Sequence, residues 1–265
     1  MKKFAYMARM SLLTMMMLFA CLGMSVSLAE DVPVVAAASD LSYALVKISD
    51  QFTRETGHKI RLSFGSSGNL KRLVEQGAPF EMYLSADEDY VFQLAEQGYT
   101  IDRGQIYALG RLVLFAPQSS ALAESLDFAA LRDLLADGRV RKFAIANPRH
   151  APYGRAAREV LIKVKLWDEI ESSLVFGESA SQAVLFAASG STQGAIIPHS
   201  LALNPSVSGK GSFRLIDKDL HNPLRQRMVL LKNASDTARH FFAYLQTAKV
   251  RGILRKCGFN VSGEM

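Results

Sequence analysis

The stretch Val32-Pro33-Val34-Val35-Ala36-Ala37-Ala38-Ser39-Asp40-Leu41 opens a pattern that runs to Gly98 and decides the fold. Residues 32–38 form an apolar run rich in Val and Ala, the composition of a strand buried on both faces. Residues 41–56 then place Leu41, Ala44, Leu45, Ile48 and Phe52 at the spacing of one helix face, and Gly57 supplies a left-handed stop. Residues 59–64 alternate as a strand. Gly65-Ser66-Ser67-Gly68 turns the chain, and 69–75 continue as a helix that ends at Gly77. Residues 80–84 are a third strand, and Asp87 opens a helix over 88–97 ahead of Gly98. Three successive strand–helix units predict a parallel sheet with helices on both faces.

The pattern starts again downstream. Residues 111–116 read as a strand ending at Pro117, 126–137 as a helix stopped by Gly138, and 143–146 as a strand broken by Asn147-Pro148. A helix follows over 154–165, a short strand over 174–176, a helix over 179–188 and a strand over 195–198. Residues 204–212 are polar and rich in Gly and Ser, and read as a loop. A strand over 224–231 and a helix over 235–247 follow, with 249–257 after it. The expected fold class is α/β: two Rossmann-like lobes joined by a hinge. The first lobe takes residues 30–112 and 228–265, the second 113–227, with crossings near the strands at 111–116 and 224–231. Ligands of such folds sit at the carboxyl ends of the strands.

The first 29 residues are set apart from this pattern. Lys2, Lys3 and Arg9 precede a nearly unbroken apolar run from Met10 to Met24, and Ser27-Leu28-Ala29 is a small-x-small cleavage site. This is the layout of a secretory signal peptide, and the run falls short of the roughly 20 residues a spanning helix needs. Leu18-Phe19-Ala20-Cys21 gives a second version, a lipid anchor on Cys21, although Phe19 is bulky for such a site. Losing the leader removes three basic residues and no acid, so the net charge falls from +6 to +3. No Lys/Arg run in the remainder exceeds two, and no nucleic-acid partner is expected. Only Cys257 is left, which excludes an intrachain disulfide although an extracytoplasmic compartment would permit one. With 49% hydrophobic and 21% charged residues, the chain is neither disordered nor a small disulfide scaffold.

Four strand ends share one chemistry. Ser39-Asp40, Gly65–Gly68, Ala151-Pro152-Tyr153-Gly154 and Gly177-Glu178-Ser179-Ala180-Ser181 each put small or hydroxyl residues just ahead of a helix. Helix N-termini carry unpaired N–H groups and partial positive charge, Gly lets a ligand approach the backbone, and Ser adds a donor. Such termini hold anions without Lys or Arg. Each segment also has an ordinary structural use: Ser39, Asp40 and Ser179 as caps, Gly65–Gly68 as a plain loop, Tyr153 as a packed aromatic. The sequence leaves both uses open.

Several segments together resemble one family. Val34–Leu41 is similar to the opening strand and loop of the periplasmic molybdate-binding proteins, and Ser63-Phe64-Gly65-Ser66-Ser67-Gly68-Asn69 follows at the matching distance. Gly77-Ala78-Pro79-Phe80-Glu81-Met82-Tyr83-Leu84-Ser85-Ala86-Asp87 resembles the family's Gly-Ala-Pro, acidic-apolar, Ser-Ala-Asp segment. Asn147-Pro148 with Tyr153-Gly154, Gly177-Glu178 with Gln182-Ala183, and Cys257-Gly258-Phe259 continue the likeness in order. The resemblance implies a bilobal type II periplasmic binding protein that captures molybdate or tungstate and feeds the membrane permease of an ABC importer. It implies a monomer in the periplasm, with the oxyanion as cargo and no cofactor. Carried over by position, the ligand-binding residues are Ser39, Ser67, Tyr153 and the backbone N–H of Ala180. They hold the oxyanion's oxygens, and no residue bonds the metal atom. Some members use a further tyrosine just before the position of Pro198, where this chain has Ile197. Members commonly carry Val or Ile where Ala180 stands, so the pocket here is expected to be looser. His150 and Arg155, flanking Tyr153, are expected to face outward.

Other classes are less well supported. The chain has no Gly-x-Ser-x-Gly, Ser-x-x-Lys, His-Glu-x-x-His or Gly-x4-Gly-Lys-Ser/Thr signature. Its five histidines form no i,i+4 pair, and no cluster of His, Tyr and carboxylates marks a metal receptor. A Ser–His pair assembled only by the fold stays open as a hydrolase reading. So does the same fold serving sulfate or a small organic anion.

Overall fold

The computed structural model describes residues 32–261. The signal peptide at 1–29 and the lipid-anchor alternative at Cys21 lie outside the described residues. Within them no helix is long and apolar enough to cross a membrane.

Ten strands form two five-stranded sheets. The first contains β1 (Val34–Ala38), β2 (Arg61–Gly65), β3 (Phe80–Ser85), β4 (Gln105–Gly110) and β10 (Leu224–Leu230), in the order β2-β1-β3-β10-β4. The second contains β5 (Leu112–Pro117), β6 (Phe143–Ala146), β7 (Leu174–Gly177), β8 (Gly194–Pro198) and β9 (Gly211–Leu215), in the order β7-β6-β8-β5-β9. The helices of nine or more residues are α1 (Ser42–Thr56), α2 (Ser67–Glu75), α3 (Glu88–Glu96), α4 (Phe128–Ala136), α5 (Pro152–Lys163), α6 (Ala180–Ala188), α7 (Asp236–Leu245) and α8 (Ala248–Lys256).

Both sheets are mixed, which corrects the expectation of parallel ones. β1 runs parallel to β2 and β3, but β10 is antiparallel to β3 and β4. In the second sheet β6 is parallel to β7 and β8, whereas β5 is antiparallel to β8 and β9. The antiparallel members are the strands by which the chain changes sheet. It leaves the first sheet after Gly110, already pairs in the second at Leu112, and returns between Leu215 and Leu224. That return lies ahead of the 227/228 boundary expected from sequence. Two strands carried no clear signal: residues 105–110 drew no assignment, and β9 lies partly in the stretch read as the loop 204–212. Both are edge strands, with Gln105 exposed in one and Ser212, Arg214 and Leu215 exposed in the other. β9 lacks the two-sided apolar pattern of the buried strands, whereas Ile106-Tyr107-Ala108-Leu109 of β4 has it, over a short run.

The first sheet is covered on both faces, and the alternation of its strands shows how. Val35, Ala37, Met82 and Leu84 face a cluster with Leu45, Ile48 and Phe52 of α1 and Phe241 of α7. Ala36 and Tyr83 point the other way, onto Leu70 and Val74 of α2 and Val91 and Leu94 of α3. The α1 helix forms because its apolar residues recur on one face, and it stops at Gly57, whose φ of 78° is left-handed and whose N–H donates to Thr53 O. The second sheet's core gathers Phe115, Phe143, Ile145, Val160, Leu161 and Ile196. Cys257 is a buried free thiol in the first sheet's core.

Candidate functional site

The four strand ends singled out in sequence meet at one place. β1 ends at Ala38 and gives way to a short turn of helix over Ser39–Leu41. β2 ends at Gly65, just before α2 begins at Ser67; β6 leads through 147–151 to Pro152 at the start of α5; β7 ends at Gly177, just before α6 begins at Ala180. Residues from all four segments, including Ser39, Ser67, Tyr153 and Ala180, line one small void. It is far smaller than the pockets of several hundred Å³ that take typical organic ligands. None of its lining residues is Lys, Arg or His. Its positive character comes from the N-terminal N–H groups of three helices that begin there.

The hydroxyls are arranged as donors. Ser67 Oγ accepts from the N–H of Ala86 at 3.0 Å, and Ser39 Oγ accepts from the N–H of Ser181 at 3.3 Å. Each accepts from a backbone N–H, so each keeps its own proton for the void. Ser67 is 1% exposed and its carbonyl receives the Tyr83 hydroxyl at 2.8 Å, which fixes the loop. Ala180 is the first residue of α6, so its N–H precedes the helix's own hydrogen-bond ladder. Ser179 caps that helix, its hydroxyl accepting from the N–H of Gln182 at 3.3 Å.

Tyr153 is held differently. Its hydroxyl accepts from Gln226 Nε2 at 3.0 Å, beside the carboxyl of Asp40. Gln226 Nε2 also donates to Asp40 Oδ2 at 2.6 Å, and Tyr107 donates to Gln226 Oε1 at 2.6 Å. Burial raises Asp40 to about 6, against the opposing pull of Gln226 and Tyr153. Burial, and then the Asp40 charge, push the Tyr107 and Tyr153 hydroxyls well above their ordinary value. Sequence reading found neither Gln226 nor Tyr107. The signal for Gln226 was present: in Leu224-Arg225-Gln226-Arg227-Met228 the two arginines share one face, so Gln226 falls with Leu224 and Met228 on the buried face and needs polar partners there.

Contacts join the first-sheet and second-sheet sides around the void. Ser181 Oγ donates to Ser39 O at 3.0 Å, Ser200 Oγ to Asp40 O at 2.9 Å, and the N–H of Gly68 to His150 O at 2.9 Å. His150 and Arg155 face across the cleft and not outward, which corrects the expectation for both. His150 Nδ1 lies 2.8 Å from Ser66 Oγ, with its Nε2 3.2 Å from Glu178. Arg155 forms an ion pair with Asp87 and donates to the Tyr90 hydroxyl at 2.9 Å. Their chain neighbours supplied no partner, so only the fold reveals these roles. Among the described residues no group of three or more His, Cys, Asp or Glu could hold a metal ion.

Comparison with known proteins places this geometry in context. The family described as bacterial extracellular solute-binding protein matches residues 33–260. The molybdate-binding protein ModA of Rhodobacter capsulatus is 34% identical over 243 residues, 90% of this chain and 92% of that protein. The molybdate-binding protein ModA of Azotobacter vinelandii is 31% identical over 230 residues, 86% of this chain and 89% of that one. The solved structure of the Azotobacter vinelandii periplasmic molybdate-binding protein aligns with a TM-score of 0.78 at 27% identity, covering 86% of this chain and 99% of that one. The two sheets therefore form a bilobal, type II binding-protein architecture.

Proposed function

The chain belongs to the bacterial extracellular solute-binding protein family, and from that premise we propose that it captures molybdate or tungstate between its lobes and delivers the oxyanion to the permease of an ABC importer. The observation that carries this reading is the convergence of Ser39, Ser67, Tyr153 and Ala180 on one small void with no cationic side chain. A tetrahedral dianion offers only acceptors, and this cage offers donors set by helix ends. Sulfate and phosphate are smaller, so some donors would stand too far from an oxygen. A buried donor left unpaired costs about 1–3 kcal/mol. Molybdate and tungstate are nearly equal in size, so the cage does not separate them. Nothing is turned over: the ligand leaves as it entered, and no cofactor is needed.

On this reading the leader at 1–29 carries the protein to the periplasm, where it acts as a monomer. The hinge lies in the two crossings, near Arg111 and between Leu215 and Leu224, and the closed form is what the permease engages. Thermal unfolding of ligand-stripped protein against molybdate, tungstate, sulfate and phosphate tests the reading. At about 1,000 times its dissociation constant a ligand adds roughly 4 kcal/mol, a shift of about 8–16 °C for a chain of this size. Shifts with molybdate and tungstate but not sulfate are expected. A shift with sulfate alone keeps the fold and overturns the substrate. Ser39→Ala and Ser67→Ala should each weaken molybdate binding by about 1–3 kcal/mol in calorimetric titration, without any loss of secondary structure.

A further inference from the structure

Asp40 is the one acidic residue among those that line the void. It is 1% exposed, and its Oδ1 is buried with no hydrogen-bond partner. Its Oδ2 is held by Gln226, which Tyr107 holds in turn. An ionised carboxylate is disfavoured beside a dianion in a buried site: the two repel, and neither supplies the other with a donor. A neutral carboxylic acid has an O–H and reverses both terms. Resting on the oxyanion reading above, we propose that Asp40 is a specificity-determining residue that stands as the neutral acid in the loaded cavity, so that each molybdate captured draws one proton from solvent onto its carboxylate. A cage completed in this way contains donors only, and it rejects an oxyanion that still carries its own proton.

The surroundings agree with this assignment. Burial lifts Asp40 to about 6 even against the lowering hydrogen bonds from Gln226, Tyr153 and the backbone of its own turn, and a bound dianion lifts it further. Opening the cleft to water returns it toward the ordinary carboxylate range. The titratable groups that face it are Tyr107 from β4 and Tyr153 from α5, both pushed upward and neutral through this range. Beside it, α6 presents Ser181 and the short helix His199–Ala202 presents Ser200. His199 on that helix is pushed down by burial. The sign follows: the protonated form binds, so affinity is highest below the free protein's Asp40 pKa and falls as pH rises above it.

Calorimetric titration of the purified protein with sodium molybdate, from pH 6 to 9 in pairs of buffers with different ionisation heats, tests the proposal. The expected result is uptake of close to one proton per molybdate at pH 8, with Kd rising about tenfold per pH unit. Asp40→Asn cannot ionise, so its uptake should vanish, its Kd should stay flat, and at pH 9 it should bind more tightly than the wild type. Molybdate binding in the wild type with no proton uptake and a flat Kd would overturn the proposal while leaving the oxyanion reading intact. So would an Asp40→Asn protein that keeps the wild-type slope. A preference for hydrogenphosphate that Asp40→Asn abolishes would mean that the carboxylate stays ionised and accepts from the ligand, which overturns it too. No molybdate binding at any pH would overturn the oxyanion reading, and this proposal with it.

Discussion

At the scale of single residues, two glycines set how closely the walls of the site approach. A Cβ on Gly68 would lie 2.8 Å from the carbonyl oxygen of His150 on the opposite side of the cleft. That oxygen belongs to the backbone and already accepts the Gly68 N–H. Gly68→Ala should therefore leave the ligand-free protein as stable as the wild type but weaken molybdate binding at least tenfold, because closure stops short. Parallel unfolding and titration measurements check both halves, and wild-type affinity would show that the closed cleft tolerates a methyl group. Gly110 acts from below. A Cβ there would lie 2.3 Å from the Tyr153 hydroxyl, so Gly110→Ala should move Tyr153 off Gln226 and lower both affinity and thermal midpoint.

At the scale of elements, the site is built from helix beginnings, and caps are the local device that fixes them. Asp127 caps α4 by accepting from the N–H of Ala130 at 2.8 Å, and Ser179 caps α6. Each Ala substitution should cost about 1 kcal/mol of stability in urea unfolding. Only Ser179→Ala should also weaken oxyanion binding, since α4 does not reach the void. Equal effects on binding would mean that the α6 terminus is not part of the site. Helix starts were also what the sequence displayed best. Ser or Asp ahead of an apolar period, and Gly after it, are local patterns, and they mark the segments that hold Ser39, Ser67 and Ala180; only the family resemblance points to those three residues within them. Strand direction is not local. Nothing around residues 105–110 or 211–215 announces an antiparallel partner elsewhere in the chain, so the edge strands and the mixed sheets emerged only with the fold. Gln226, Tyr107 and the cross-cleft roles of His150 and Arg155 belong to the same class, since each is defined by a partner distant in sequence.

At the scale of the whole molecule, closure is a property of both lobes. The ion pair of Arg155 with Asp87 crosses the cleft with its guanidinium partly exposed, so Arg155→Ala should weaken binding by only about 0.5–1 kcal/mol, seen mainly as faster release. Small-angle scattering should show the radius of gyration of the stripped protein falling when molybdate is added, and no change would mean that the lobes are already closed. The strand order of the first sheet also sets a timetable. Because β10 sits between β3 and β4, that sheet lacks its joining strand until residues 224–230 have been synthesised. All five strands of the second sheet lie between residues 112 and 215 and are complete sooner. A growing chain thus cannot lock its amino-terminal lobe while it is being made. On the proposed export route, a polypeptide threaded unfolded through a translocation pore would have its leading lobe kept threadable by topology, and the later-made lobe would be the first that a holding chaperone has to restrain.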